Sequence, residues 1–292
     1  MPALLAGTMI ASTAQADSTY IKPSSTNSSG ENNMVTFDAA GADHLFYLDH
    51  RPVQLNTITV TRPDGTPGTV INGLQQRFRS VFDLRLDQQG TWRIAAQQTM
   101  VTGTFMADGQ ERRVGGRRAP TPAAGGERQA RAGEGQRAPA NPGAPVRLPP
   151  VALADMPANA TDVHLTEVIN RTETFVTQGA PTDVAHSGKG LEFDPVTHPN
   201  AVVQGETARF RYLLDGKPAA GITVTVVADG DRYREATDAL TLTTDKDGQV
   251  AITWPKAGLY WVSAQTQDKN PGEKRAELRR MITSETLEVM TP

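Results

Sequence analysis

Apolar and polar positions alternate with a period of two along much of the first hundred residues. Met34-Val35-Thr36-Phe37-Asp38 alternates cleanly. From Phe78 to Leu86 the residues Phe78, Ser80, Phe82, Leu84 and Leu86 fall on one face, and Arg77, Arg79, Asp83, Arg85 and Asp87 on the other. This period belongs to half-buried β-strands, whose successive side chains point to opposite sides of a sheet. Leu45-Phe46-Tyr47-Leu48 is a continuous apolar run and is read as a further strand. Ile58-Thr59-Val60-Thr61 is β-branched and leads into the turn sequence Pro63-Asp64-Gly65. Gly90-Thr91-Trp92-Arg93-Ile94-Ala95 has the form of a late strand in an immunoglobulin-like sandwich, and no amphipathic helical pattern interrupts the series.

The same grammar returns downstream. Val163 to Val168 and Thr172 to Thr177 read as two strands, the second stopped by Gly179-Ala180-Pro181-Thr182. Leu191 to Val196, Ala208 to Leu214, Ile222 to Val227, Val250 to Trp254, Gly258 to Ala264 and Thr286 to Val289 follow, separated by turns such as Asp215-Gly216 and Asp245-Lys246-Asp247-Gly248. The predicted fold is all-β: two immunoglobulin-like β-sandwich domains with a disordered insertion. The expected division is an N-terminal sandwich over 17–108, the insertion over 109–150, connecting strands over 151–185 and a C-terminal sandwich over 186–292.

Composition defines the insertion. Residues 109–150 hold eight Arg, eight Gly, eight Ala and seven Pro, with no aromatic residue. Such a segment buries too little apolar surface to offset its chain entropy. Its charge is +5, which leaves −8 on the rest of a chain whose formal total is −3. That total gives no general attraction to nucleic acid, and none is expected as a partner. Cysteine is absent, which excludes disulfides and thiolate chemistry.

The stretch Met1 to Ala16, MPALLAGTMIASTAQA, carries no charge and ends in the small-x-small pattern Ala14-Gln15-Ala16. It is read as a signal peptide lacking its basic start, so the mature chain is expected to begin at Asp17 and to be periplasmic. No other stretch approaches the roughly 20 apolar residues that span a bilayer, so the protein is not expected to be membrane-spanning.

No nucleophile elbow, His-Glu-x-x-His or phosphate-binding loop occurs, and the protein is not expected to be an enzyme. Asp245-x-Asp247-Gly248 lacks the remaining ligands of a calcium loop and is read as a hairpin turn. Five histidines offer metal chemistry: His44, His50, His164, His186 and His198. His44 and His50 would share a face of one continuous strand. His198 lies in a loop-type sequence near Glu192 and Asp194. Imidazole with carboxylate suits a divalent transition metal such as zinc, copper, nickel or cobalt. Tyr20, Trp92, Trp254, Tyr260 and Trp261 offer a sugar or peptide surface, although most lie on predicted strands and read as core.

Several longer stretches carry a family resemblance. They are Gly188-Lys189-Gly190-Leu191-Glu192-Phe193 with Pro195-Val196-Thr197-His198-Pro199-Asn200, Arg232-Tyr233-Arg234, Thr253-Trp254-Pro255, and Leu45-Phe46-Tyr47 with Asp49-His50-Arg51-Pro52. Together with Glu173-Thr174-Phe175-Val176-Thr177, these resemble the exported family labelled domain of unknown function 4198, over nearly all of the chain outside 109–150. The resemblance implies a relation to periplasmic components of nickel and cobalt uptake. It also implies a mature chain that begins with a metal-chelating His, where this sequence has Asp17. The family-matching candidates are His50 and His198, with Asp49, Glu192 or Asp194 completing a site. The leading expectation is a periplasmic binding or accessory protein for a transition metal, working with an envelope transport component or outer-membrane receptor. The alternative is a structural or protein-interaction module without a small ligand; an enzyme acting on carbohydrate ranks third.

Overall fold

The computed structural model describes residues 18–30, 33–115 and 148–292. The expected signal peptide, Asp17 and the insertion's residues 116–147 lie outside the described residues. The strands in chain order are β1 (Ser18–Pro23), β2 (Asn27–Ser28), β3 (Asn33–Ala42), β4 (Arg51–Pro52), β5 (Ile58–Thr61), β6 (Ile71–Gln75), β7 (Ser80–Leu86), β8 (Gly90–Ala107) and β9 (Gln110–Val114). They continue as β10 (Thr161–Gln178), β11 (Leu191–Pro195), β12 (Thr207–Leu214), β13 (Lys217–Pro218), β14 (Thr223–Ala228), β15 (Leu240–Thr243), β16 (Gln249–Thr253), β17 (Gly258–Asp268) and β18 (Leu278–Val289). Three single-turn 3-10 helices complete the described elements. The protein is all-β, with immunoglobulin-like sandwich architecture.

The alternation read from Phe78 to Leu86 is realised from Ser80 on, in β7: Ser80, Phe82, Leu84 and Leu86 are buried and Arg85 between them is exposed, whereas Phe78 lies before the strand and is exposed. One sheet has the order β1-β3-β7-β6, with β4 on β3. Its inner face supplies Ile21, Val35, Phe37, Phe82 and Leu84 to a core shared with Val60 of β5, Trp92 and Ile94 of β8, and Val176 of β10. Phe37 and Phe82 stack with centroids 5.0 Å apart. Each such large apolar side chain contributes about 1.5–3 kcal/mol on full burial.

A second sheet has the order β15-β14-β17-β18-β10-β8-β5 and a third has β11-β12-β13, with β16 on β12. Rings from these two sheets form a continuous chain of contacts. Phe175 of β10 meets Phe193 of β11, which meets Phe210 and Tyr212 of β12; Phe210 meets Trp254, and Trp254 meets Tyr260 of β17 at 4.9 Å. The two sandwiches thus draw on one long sheet through the neighbouring strands β10 and β18.

The compact units therefore do not follow chain order. One comprises residues up to 97, 171–265 and 283–292; the other comprises 98–170 and 266–282. The first unit draws on both parts of the sequence read as separate sandwiches, and each part also gives residues to the second unit, 98–108 and 266–282. Strands β8, β10, β17 and β18 pass from one unit to the other in mid-strand, where periodicity carries no boundary signal. What read as two strands over 163–177 is the single strand β10.

The second unit has its own core of Phe105, Ala107, Val114 and Leu165, with Val101, Val151 and Leu153 packed on it. Gly103, at φ +152°, lies so close to the backbone of His164 that a Cβ would stand 2.0 Å from its carbonyl oxygen. The expected insertion start at 109 is corrected here. Asp108 and Gly109 both have positive φ and close a hairpin that pairs β9 with Gly103–Ala107 of β8. Asp-Gly is a strong two-residue hairpin signal, and the composition-based boundary cut it in half.

Candidate functional site

The expected strand over Leu45–Leu48 is also corrected, and the correction leads to the candidate site. Residues 43–50 form an irregular strap between β3 and β4. The Tyr47 N–H donates to the His44 carbonyl at 3.1 Å, and Phe46 takes the left-handed φ of +61°. The run is not a strand because its side chains are anchored in different directions. Leu45 is buried, Phe46 meets the edge of Tyr20 at 5.1 Å, and Tyr47 turns toward Tyr233. The Tyr20 hydroxyl donates to the Tyr47 carbonyl at 2.9 Å.

This correction separates the expected metal ligands. Asp49 accepts the Asp43 N–H at 3.1 Å and His50 stands 3.8 Å from the Asp43 carboxylate, so both close the base of the strap. His44 faces Asp231 at 3.7 Å rather than sharing a strand face with His50. His198 sits elsewhere: its Nδ1 accepts the Asn200 N–H at 3.2 Å and its Nε2 lies 2.8 Å from the Thr91 hydroxyl. Those partners define a ring with its proton on Nε2, and burial holds its pKa below the ordinary histidine value.

Glu192 is fully buried. One oxygen accepts the N–H and hydroxyl of Ser187 and the other accepts the Gly188 N–H, each at 2.8 Å. Burial pushes its pKa up, but these donors and Arg171 offset that and hold it below the ordinary range. Asp194 is shared by His186, at 3.1 Å, and Arg211. The pairs Glu192 with Asp194 and Asp49 with His50 are neighbours in the chain, yet each side chain is committed to its own partners. Among the described residues no group of three or more His, Asp or Glu side chains is placed to hold a metal ion. The nickel or cobalt site implied by the resemblance does not fit these residues.

Two constellations were not singled out by sequence chemistry. The first is internal. Glu173 of β10 is fully buried and accepts from Arg93 Nε of β8 at 2.8 Å and from Arg171 Nε at 3.0 Å; Arg93 also donates to the Ala185 carbonyl at 2.8 Å. Burial raises the Glu173 pKa, but the two guanidinium groups overcome this and hold it below the ordinary range. Glu285 of β18 has the opposite character. Burial and the negative charge of Glu173 push its carboxyl well up, while Thr283 and Tyr212 hydroxyls lie 2.8 and 3.2 Å from it.

The second constellation is a groove of about 950 Å³. Its walls come from the strap (Phe46, Tyr47), the loop after β14 (Asp229, Tyr233, Asp238), the edge strand β15 (Leu240) and residues around Trp254 and Tyr260. Asp231 locks strap to loop: buried, it accepts the Leu45 N–H at 3.3 Å and the Arg232 N–H at 2.8 Å. Arg234 holds the loop from inside by donating to the carbonyls of Ala228 and Asp229 at 2.8 Å and Thr237 at 3.2 Å. The result is a fixed display of two phenols. Tyr47 and Tyr233 share a hydroxyl hydrogen bond, their rings are 5.9 Å apart at 70°, and the Arg232 guanidinium covers the Tyr47 ring at 4.8 Å. Tyr233 is 78% exposed.

Of the five aromatics singled out from the sequence, Tyr20, Trp92, Trp254 and Tyr260 are buried, and only Trp254 and Tyr260 line the groove. The signal for Tyr233 lay in Arg232-Tyr233-Arg234, an aromatic residue between two cations in a stretch without alternation. The expected turn at Asp245 is observed: its carboxylate accepts the N–H groups of Asp247 and Gln249, both at 2.9 Å.

Fold and groove together define an all-β, immunoglobulin-like sandwich protein with a preformed surface groove. The chain belongs to the family described as Domain of unknown function (DUF4198), whose model matches residues 14–268. No curated protein matches the chain in sequence. Among solved structures, the D0-D1 domain of intimin is similar over 93% of this chain and 97% of its own, at 11% identity and a TM-score of 0.22. Trypsin-activated alpha-2-macroglobulin from Escherichia coli is similar over 94% of this chain but 15% of its own, at 13% identity and a TM-score of 0.21. The human OSCAR ligand-binding domain is similar over 93% and 97%, at 10% identity and a TM-score of 0.20. Among the described residues no helix is long and apolar enough to cross a membrane.

Proposed function

We propose that this protein is an exported, periplasmic binding protein that holds an organic ligand in the groove without a covalent step. One observation carries the reading. Tyr233 is a large aromatic residue left 78% exposed on a loop that Asp231 and Arg234 hold rigid. Folding gains little from an exposed ring. A rigid, amphipathic ring at the mouth of a groove supports recognition at low entropic cost. The groove volume, about 950 Å³, lies at the upper end of the roughly 300–1,000 Å³ typical of ligand sites. An accessory role beside an envelope transport component is compatible with this reading. A metal is not part of it, because the expected ligands are committed elsewhere. A second reading, a protein-interaction module, is favoured by β15, which ends the long sheet and exposes Leu240 at the groove.

The test is a thermal-shift and calorimetric screen of the mature protein against oligosaccharides, short peptides, nickel and cobalt. The expected result is stabilisation by an organic class and by neither metal, lost in Tyr233→Ala. Stabilisation by metal alone, or by an organic ligand that Tyr233→Ala still binds equally well, overturns the reading.

A further inference from the structure

We propose that the groove takes a neutral oligosaccharide, with the Tyr233 ring as its stacking platform. This rests on the reading of the groove as the binding site and adds the ligand's class. Three features of the lining select the chemistry.

The first is charge. The lining carries Lys22, Arg234 and Lys256 against Asp229 and Asp238. Arg234 is engaged by three backbone carbonyls and stands 3.5 Å from Asp238. What remains is close to balance, too little of one sign to select a polyanion or a cation. It still supplies both donors and acceptors for hydroxyl groups.

The second is the floor. Val226, Ile252, Trp254 and Tyr260 line the groove but are each 5% exposed or less. The floor itself therefore offers no bare anchor to a hydrophobic side chain of a peptide, and the exposed aliphatic side chain of the lining is Leu240 on the edge strand β15, 43% exposed. Phe46 and Tyr47 line the groove half-buried, and the most exposed ring of the lining is Tyr233.

The third is the ring geometry. Tyr47 and Tyr233 meet at 70°, and the Arg232 guanidinium packs over the Tyr47 ring. That leaves Tyr233 as a platform with polar groups around it. A pyranose has a flat face of C–H groups and a rim of hydroxyls, so its face fits the ring and its rim fits the Asp and Lys groups. The volume accommodates more than one sugar unit, so affinity should grow with chain length.

The experiment titrates the mature protein by calorimetry with neutral gluco-, xylo-, manno- and chito-oligosaccharides of one to six units. An anionic uronate oligomer and a set of apolar peptides are run alongside. At least one neutral series is expected to bind, at least tenfold tighter as a trimer than as a monomer. Tyr233→Ala should weaken that binding at least tenfold, and Tyr233→Phe, which keeps the ring, by less than threefold. An unchanged melting temperature shows that Tyr233→Ala folds. Binding of only the uronate or the peptides, with the same dependence on Tyr233, overturns the sugar class and leaves the groove reading standing. Binding that ignores Tyr233→Ala overturns both. If no probe binds, the sugar class fails, and the groove reading then falls to the broader screen.

Discussion

Glu173 in the interior is fully buried and gripped by two guanidinium groups, whereas Tyr233 in the groove is 78% exposed and its ring is gripped by little but another phenol. Both are polar or amphipathic residues on the same compact unit, and both are held in fixed positions. In the interior, partners inside the protein take up most of the chemistry: both guanidinium groups meet Glu173 on Oε2, and among the described residues the buried Glu173 Oε1 and Arg93 Nη2 have no hydrogen-bond partner. In the groove, the effort of the surrounding residues goes into presentation. Asp231 and Arg234 satisfy the loop backbone, and the ring they carry faces outward. A perturbed carboxylate alone is therefore a poor guide to function here, because the most perturbed ones are sealed inside the sandwich.

The largest effect that separates the two regions should come from Arg93→Ala. It leaves the Glu173 carboxylate buried with only Arg171 for a partner, and breaking a buried pair this way costs about 3–5 kcal/mol. Urea denaturation measures it. Adding Glu173→Ala to that background should cost less than the two single losses combined, since the pair is coupled. A loss below about 1 kcal/mol for Arg93→Ala would mean that the interior network contributes little to the fold.

A smaller loss is expected beside His198, a metal-ligand candidate of the sequence, at its partner Thr91. The Thr91 hydroxyl serves the His198 ring at 2.8 Å, Thr177 at 3.1 Å and the Thr182 N–H at 3.1 Å. Thr91→Val keeps the shape and removes all three, stranding the His198 Nε2–H; the cost is about 1–3 kcal/mol. An unchanged urea midpoint for Thr91→Val would show that these three contacts contribute nothing to the fold.

How far the chain was legible follows from the range of the contacts involved. The faces of β7 were readable because period-two alternation is local and every inward position is apolar or small. The Asp245 turn was readable because its hydrogen bonds span two to four residues. The strap was not: Leu45–Leu48 looks like a strand until Asp231, 186 positions away, takes the Leu45 N–H. Glu192 and Asp194 read from the sequence as candidate metal ligands near His198, and only the fold reveals that Ser187, Gly188, His186 and Arg211 already occupy them. The buried Glu173 and Glu285 were hidden for a related reason. A charge at an inward strand position reads as a surface residue unless its partners, on strands distant in sequence, are known.

A pH-dependent difference should distinguish those two buried acids. Glu173 and Glu192 are held below their unfolded pKa, so their stabilisation is present at neutral pH and lost as pH falls through their folded values. Glu285 is raised, so the folded state keeps a proton that the unfolded chain releases, and stability falls as pH climbs above the ordinary glutamate value. Glu285→Gln removes that titration. It should be more stable than the wild type at pH 8, on the order of 1 kcal/mol, with the gap closing near pH 4. A gap that does not change with pH would show that Glu285 is ionised in the folded protein.

Tyr233→Ala should have the smallest effect on stability, and that is what makes it decisive for the contrast. An exposed residue that fills no core and closes no network typically changes stability by no more than about 0.5 kcal/mol on substitution. The ring does touch Tyr47, whose hydroxyl it hydrogen-bonds, but Tyr47 keeps the Arg232 guanidinium on its ring and the Tyr20 hydroxyl on its carbonyl. The loop keeps Asp231 and the three carbonyl bonds from Arg234, none of which passes through the Tyr233 side chain. Urea denaturation should therefore give the same midpoint for variant and wild type. A midpoint lowered by as much as Thr91→Val lowers it would make Tyr233 a structural residue like Glu173, and the distinction between a sealed interior and a presented groove would not hold.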